Sequence, residues 1–253
     1  MKKFLVAIFV VFFAGYGHAQ KQKVNYLTTF DDKLIHFGFS LGINTLDFGV
    51  TNYNPIGSNP EFESKYWQGD KEQIKELSVV RSDVAQLVPG FTVGIISSLR
   101  LSRDFDLRFL PGLSFGERKL NYNIEVRDIY NDVPGSYYSV KSTFLDFPLL
   151  IKYKARRINN DRPYVIFGSA YRHDISRTAQ EDLVGLKNAG FYAEVGAGWD
   201  HYFTFFRFSV EAKVSLGLNN LLGPPPEDTQ RQYYSQSIES LRSNIFTLSF
   251  HFE

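Results

Sequence analysis

Residues 206–218 alternate without a break. Phe206, Phe208, Val210, Ala212, Val214, Leu216 and Leu218 are apolar, while Arg207, Ser209, Glu211, Lys213, Ser215 and Gly217 between them are charged, polar or small. Successive side chains of an extended strand point to opposite faces, so this segment has one greasy face and one wet face. The same two-residue period recurs at residues 35–44, 88–101, 105–116, 145–153, 191–199 and 244–253. An eighth strand is expected at residues 163–175, where Val165, Ile166 and Phe167 are apolar in succession and both faces read as buried. Eight strands of about ten residues or more have the length a tilted strand needs to cross a bilayer.

The connections between these strands alternate in length. Those after the second, fourth and sixth strands are short, around Ser102–Asp104, residues 156–162 and residues 201–204. Those after the first, third, fifth and seventh are long: residues 51–86, 123–136, 176–188 and 219–240, marked by Asn54-Pro55, Asn131-Asp132, Pro134-Gly135 and Pro224-Pro225-Pro226. A short helix is expected near residues 71–77 within the first of them. A soluble β-sandwich has no reason for this rhythm, whereas a bacterial outer-membrane barrel has short periplasmic turns and long outer loops.

The charges decide further. Arg100, Arg108, Asp146, Lys152, Glu194, Arg207, Glu211 and Lys213 all fall opposite the apolar rows. An Arg or Lys on the lipid face at mid-membrane costs about 2–4 kcal/mol, and confining these groups to the other face avoids that cost. Their mixed signs predict pairing inside a narrow lumen. His36 and His251 join them on the inward face of the first and last strands, which must pair if no strand edge is to meet lipid. The expected fold is therefore all-β: an eight-stranded antiparallel transmembrane β-barrel with short periplasmic turns and long extracellular loops. The C-terminus agrees, since Phe246, Leu248, Phe250 and Phe252 form a terminal aromatic row, although Glu253 follows the last aromatic.

Composition narrows the function classes. Met1, Lys2 and Lys3 precede a continuously apolar run at residues 4–15, and small residues flank His18, which reads as a secretory signal peptide (residues 1–19) cleaved between Ala19 and Gln20. The run falls short of the roughly 20 apolar residues a spanning helix needs. Residues 20–253 then form a single barrel domain, located in the outer membrane. The 253 residues include no cysteine, which excludes disulfides, cysteine-ligated zinc and thiol catalysis. A net charge of +1 gives no nucleic-acid footprint. Phe (24) and Tyr (15) are abundant, and Tyr and Trp cluster near predicted strand ends or in loops, Tyr53, Tyr122, Tyr138, Trp199 and Tyr202 among them, where some would form interfacial girdles.

Candidate chemistry is sparse. His36 and His251, with Ser40 or Ser249, could be drawn as a metal pair or a hydrolytic group, but two imidazoles without a carboxylate at fixed spacing are better read as lumen filling. Glu194, Glu211 and Asp200 beside Arg207 and Lys213 could be an acid pair for glycoside chemistry; a salt-bridged plug fits them better. Gly38, Gly42, Gly196 and Gly198 precede no helix and make no phosphate loop. An eight-stranded interior is filled by its own side chains, which disfavours a conducting pore.

Four segments carry a family resemblance: KLIHFGFSLGIN (residues 33–44), FLPGLSFGERKLNY (109–122), TFLDFPLLIKY (143–153) and PYVIFGSAYRHDI (163–175). Together with the ending Phe250-His251-Phe252-Glu253 they resemble the PorT family, called SprT in gliding species, the outer-membrane barrel component of the type IX secretion system of Bacteroidetes. The resemblance implies a non-enzymatic outer-membrane protein needed for export of cargo bearing C-terminal sorting domains, and for gliding motility where present. It implies no cofactor, no catalytic residue and no small-molecule substrate; the expected partners are outer-membrane lipid and other secretion components. The competing reading is a stand-alone small barrel with an adhesion, stress or small-solute role, and behind it an outer-membrane hydrolase.

Overall fold

In the computed structural model, which describes residues 24–62, 75–123, 126–127, 134–135, 138–176, 184–224 and 232–253, the strands close on themselves. In chain order they are β1 (Ile35–Asn52), β2 (Ser82–Arg100), β3 (Phe105–Phe109), β4 (Gly112–Tyr122), β5 (Val126–Arg127), β6 (Pro134–Gly135), β7 (Tyr138–Lys154), β8 (Asp161–Asp174), β9 (Ala189–Tyr202), β10 (Arg207–Gly217) and β11 (Ile238–Phe252). β5 and β6 pair only with each other. The rest form one antiparallel sheet in which β1 pairs with both β2 and β11. β3 and β4 are one strand interrupted at Leu110-Pro111, since both pair with β2 on one side and β7 on the other. The ring thus holds eight strands, every one antiparallel to its neighbours. Pro111 has no N–H to give, but its carbonyl accepts from the amide of Ile95, so the ladder survives the break.

Closure is register-exact over the seam. Phe39 lies opposite Phe252, Ser40 opposite His251 and Ile43 opposite Leu248, with a bulge only at Thr51/Asn52. A closed ring leaves no unpaired strand edge, which a bilayer demands because it offers backbone groups no hydrogen-bond partner. The three short connections, residues 101–104, 155–160 and 203–206, all lie at the end of the barrel that holds the start of β1 and the end of β11. The turn at 155–160 places Asn159 at φ 54°, a left-handed conformation that asparagine tolerates.

The strands run further than the alternation suggests. β1 continues to Asn52, β2 begins at Ser82 inside the segment read as loop, and β11 begins at Ile238 after a helix, α1 (Gln232–Gln236), within another. The reason is visible in β1. Inward positions change from His36, Ser40 and Asn44 to Leu46 and Phe48, while outward positions change from Leu41 and Ile43 to Asp47 and Thr51. β11 changes at the same level, where Ile245 lies opposite Leu46: Phe250, Leu248 and Phe246 face out below it, Asn244 and Arg242 above it. β4 follows with Leu113 and Phe115, then Glu117 and Lys119. Above this level the barrel is wrapped by water and encloses an apolar core of Phe48, Ile56, Val80, Leu120, Tyr122 and Leu241. The inversion hides the strand from a search for one continuous greasy face.

The expected helix near residues 71–77 lies largely outside the described residues, as does the signal peptide. Among the described residues no helix is long and apolar enough to cross a membrane.

Candidate functional site

The outward rows below the inversion are exposed and apolar: Phe37, Phe39, Leu41 and Ile43 on β1, Phe91, Ile95 and Leu99 on β2, Val165 and Phe167 on β8, Val195 and Trp199 on β9, and Val214 on β10. In water this much exposed apolar surface would be costly. The charged side chains are inside. This is the reverse of a soluble core and makes the lumen the place to look for function.

β10 is the spine of the lumen, because its inward positions 207, 209, 211, 213 and 215 all take part in the polar network. At the lowest level the Arg207 guanidinium bonds the Glu253 carboxylate and lies 3.9 Å from Asp200. Glu253 therefore departs from the terminal aromatic for a reason: Phe252 keeps the lipid face, stacked on Phe39 at 4.8 Å, and Glu253 turns inward to Arg207. Lys152 donates to both Asp200 oxygens at 2.7 and 2.8 Å and sits 3.6 Å from the centre of the Tyr164 ring, while Ser209 donates to Asp200 at 2.6 Å. Lys154 pairs with Asp106 at 2.6 Å.

One step up, Glu211 accepts from Arg108 at 2.8 Å and from the Tyr164 hydroxyl at 2.9 Å, and His251 Nε2 lies 3.4 Å from its other oxygen. Above that, Glu194 accepts from Arg172 at 2.5 Å, Lys213 at 2.9 Å and Ser215 at 2.6 Å. Arg172 also donates to Asp146 at 3.0 Å, and Ser114 donates to the second Asp146 oxygen. Arg108–Glu211 spans the lumen from β3 to β10, the other pairs join neighbouring or next-neighbouring strands, and nearly all their members are under a tenth exposed. Leaving any one partner unpaired at such burial would cost several kcal/mol, so the arrangement is mutually dependent.

Apolar layers alternate with the ionic ones. Ile96, Leu110, Leu150, Tyr164 and Ile166 cross the lumen beside the Arg108–Glu211 level, which places Ile166 inside and Val165 and Phe167 outside. Gly198 makes room for the Tyr164 ring, which a Cβ at that position would overlap. At the periplasmic mouth the lead-in folds across the opening as a single turn of 3₁₀ helix, Phe30–Asp32. Phe30 stacks on His36 at 4.2 Å, and Asp31 accepts from the Tyr202 hydroxyl and pairs with Arg162 at 3.2 Å. Asn160 and Arg157 clasp the backbone of Val24 and Tyr26 from the β7–β8 turn.

The residues expected from the sequence fall as follows. His36, Arg108, Asp146, Lys152, Glu194, Arg207, Glu211, Lys213 and His251 are all buried in the lumen. Arg100 is not: it sits at the rim, half-exposed, 3.6 Å from the exposed Asp32, because its strand ends there and the lumen gives way to solvent. His36 and His251 do not meet; one stacks on Phe30 and the other faces Glu211. Asp106, Lys154 and Asp200, which the alternation places opposite the apolar rows, are buried in the lumen as well, whereas Arg162, Arg172, Asp174 and Glu253 were not assigned to it. Parity along β8 gives Arg162, Arg172 and Asp174 once Ile166 is placed inside.

Chemically the lumen is a plug. Its side chains leave a cavity of about 30 Å³ near the centre, room for a few water molecules at most. Among the described residues no group of three His, Cys, Asp or Glu is arranged to hold a metal.

No curated protein matches the chain. Among solved structures, the outer membrane protein OprG from Pseudomonas aeruginosa is 9% identical, with 92% of this chain and 96% of that one covered and a TM-score of 0.46. Ail, the attachment invasion locus protein of Yersinia pestis, is 10% identical over 87% of this chain and 98% of that one, TM-score 0.33. The outer membrane protease OmpT from Escherichia coli is 10% identical over 91% and 98%, TM-score 0.37. The family model described as outer membrane protein beta-barrel domain matches residues 18–223. This chain, a closed ring of eight strands with apolar rows outside and ion pairs within, belongs to the outer membrane protein beta-barrel domain family.

Proposed function

We propose that this outer-membrane barrel is a non-enzymatic structural component of the type IX protein secretion system, required for export of sorting-domain cargo and for gliding where the cell glides. The four segments that resemble the PorT family support the reading. The observation that carries the mechanistic half is the lumen itself, spanned by Arg108–Glu211 and filled by Lys152–Asp200 and Arg172–Glu194. A barrel stitched in this way conducts nothing through its centre; it offers neighbouring subunits a rigid ring with its short turns on the periplasmic side and its long loops outside. The chain's work is then to hold position and shape for partners rather than to turn over a substrate.

The test is deletion of the gene in its own cell, with export of sorting-domain cargo followed by immunoblot of culture fluid, and complementation in trans. Loss of export restored by the intact gene supports the assignment; unchanged export removes it and leaves the stand-alone barrel. Planar-bilayer recording tests the other half separately, since steady conductance would end the plugged-lumen reading.

A further inference from the structure

The lead-in across the periplasmic mouth is a lightly held strap over a firmly built seat. None of residues 24–33 is buried. The hold is mostly polar. Asn160 accepts from the Tyr26 amide and donates to the Val24 carbonyl, both at 2.9 Å, and Arg157 donates to the Tyr26 carbonyl. Leu27 stands at φ 49°, a left-handed conformation that is unfavourable for leucine. Segments with little apolar burial and with hydrogen bonds open to water lie at the low end of a protein's local stability.

The seat beneath belongs to the barrel wall. Phe30 lies between the His36 ring, stacked at 4.2 Å, and the Arg207 guanidinium, 4.8 Å from the centre of its own ring. The next residue, Asp31, takes the Tyr202 hydroxyl at 2.8 and 2.9 Å from its two oxygens and lies 3.2 Å from Arg162 and 3.6 Å from Arg207. Both arginines keep partners when the strap lifts: Arg207 holds Glu253 and Asp200, and Arg162 donates to the carbonyls of Ala155 and Arg103. They stay aimed, and the lumen above stays plugged. The vacated mouth is then an aromatic slot beside a carboxylate site. We infer that residues 24–33 are the internal occupant of a docking site, and that this site takes a periplasmic polypeptide presenting an aromatic ring followed directly by a carboxylate, which displaces the strap. The inference does not depend on the secretion assignment. The strap runs straight into β1, so its effective concentration at the seat is about millimolar, and a partner wins only with further contacts or a high local concentration.

The probe is a fluorescein-labelled peptide with the sequence of residues 24–33, read by anisotropy against the full mature chain folded in detergent. Phe30→Ala with Asp31→Asn in the chain vacates the seat and leaves every barrel residue in place. This variant is expected to bind the peptide at least about tenfold more tightly than the parent, whose own strap competes. Adding Tyr202→Phe to it, or carrying Phe30→Ala in the peptide, should weaken binding by about fivefold or more. Hydrogen exchange on the parent reads the strap without any variant, and decides the matter should the vacated chain fail to fold. The amides of Phe30, Asp32 and Lys33 bond only within the strap and should exchange at least about 100-fold faster than those of β1 and β11. Strap amides protected as strongly as strand amides, no saturable binding by the vacated chain, or equal binding of the peptide lacking its phenyl ring would each overturn the proposal.

Discussion

Glu194→Gln is the most informative single change in the lumen. Its carboxylate is shielded from solvent and takes hydrogen bonds from Arg172 at 2.5 Å, Lys213 at 2.9 Å and Ser215 at 2.6 Å. The amide keeps one acceptor oxygen but turns an NH₂ towards a cation. Two charge-assisted bonds, each about 1.5–3 kcal/mol, are weakened or lost, and a buried cation is left without its counter-charge; broken buried pairs cost about 3–5 kcal/mol. For a chain of this size that corresponds to a midpoint lowered by roughly 6–20 °C. The assay is heat modifiability, in which folded barrel and unfolded chain are separated on a gel after heating through a temperature series. Arg100→Ala is the control. Its partner Asp32 is 3.6 Å away with a side chain 74% exposed, and an ion pair of that kind contributes about 0–1 kcal/mol. Adding Lys213→Met to Glu194→Gln should recover part of the loss, since one uncompensated cation is removed. A Glu194→Gln midpoint within about 2 °C of the parent, or an equal drop for Arg100→Ala, would refute the claim that the lumen's ion pairs hold the barrel together.

Other outcomes follow from the same geometry. Val195→Arg places a charge at the centre of the outward β9 row, and should lower folding free energy in lipid vesicles by about 2–4 kcal/mol, read from urea titration; an unchanged midpoint would mean that the row does not face lipid. Gly198→Ala pushes a methyl group into the Tyr164 ring and the Val210 carbonyl, and overpacking of this sort costs about 1–3 kcal/mol, again visible as a lowered midpoint. With Trp67 replaced by Phe, Trp199 is the single remaining indole and is 51% exposed on the outer wall. Its fluorescence should be quenched by brominated lipids and not by aqueous iodide; the reverse result would take β9 out of the membrane.

Much of the ring could be read from alternation alone, because lipid imposes a simple rule on every outward position. The rhythm of short and long connections was equally legible, as was the inward placing of Glu211 and Lys213. What stayed hidden has physical causes. A lumen is not uniformly polar: Ile166 faces inward within an apolar layer, so the run Val165-Ile166-Phe167 gives no period and conceals Arg162 and Arg172 on the same face. Arg100 has the right parity but the wrong height, and alternation carries no information about height. Asp200 and Glu253 are engaged by Lys152 and Arg207 from other strands, a pairing set by register across the ring rather than by spacing along the chain.

The exchange of greasy and wet faces at Leu46 and Ile245 bears on how the protein reaches its final place. Everything beyond that ring, including Asp47, Glu117, Lys119, Lys141 and Arg242, starts on the side where the chain is delivered and ends on the far side. The crown that finally stands in the medium has a dry interior of its own, so it cannot mature until its strands have passed through. Assembly must therefore carry these water-facing ionised groups across hydrocarbon, and the slow step of biogenesis should lie in moving this crown rather than in zipping the lipid-facing belt behind it.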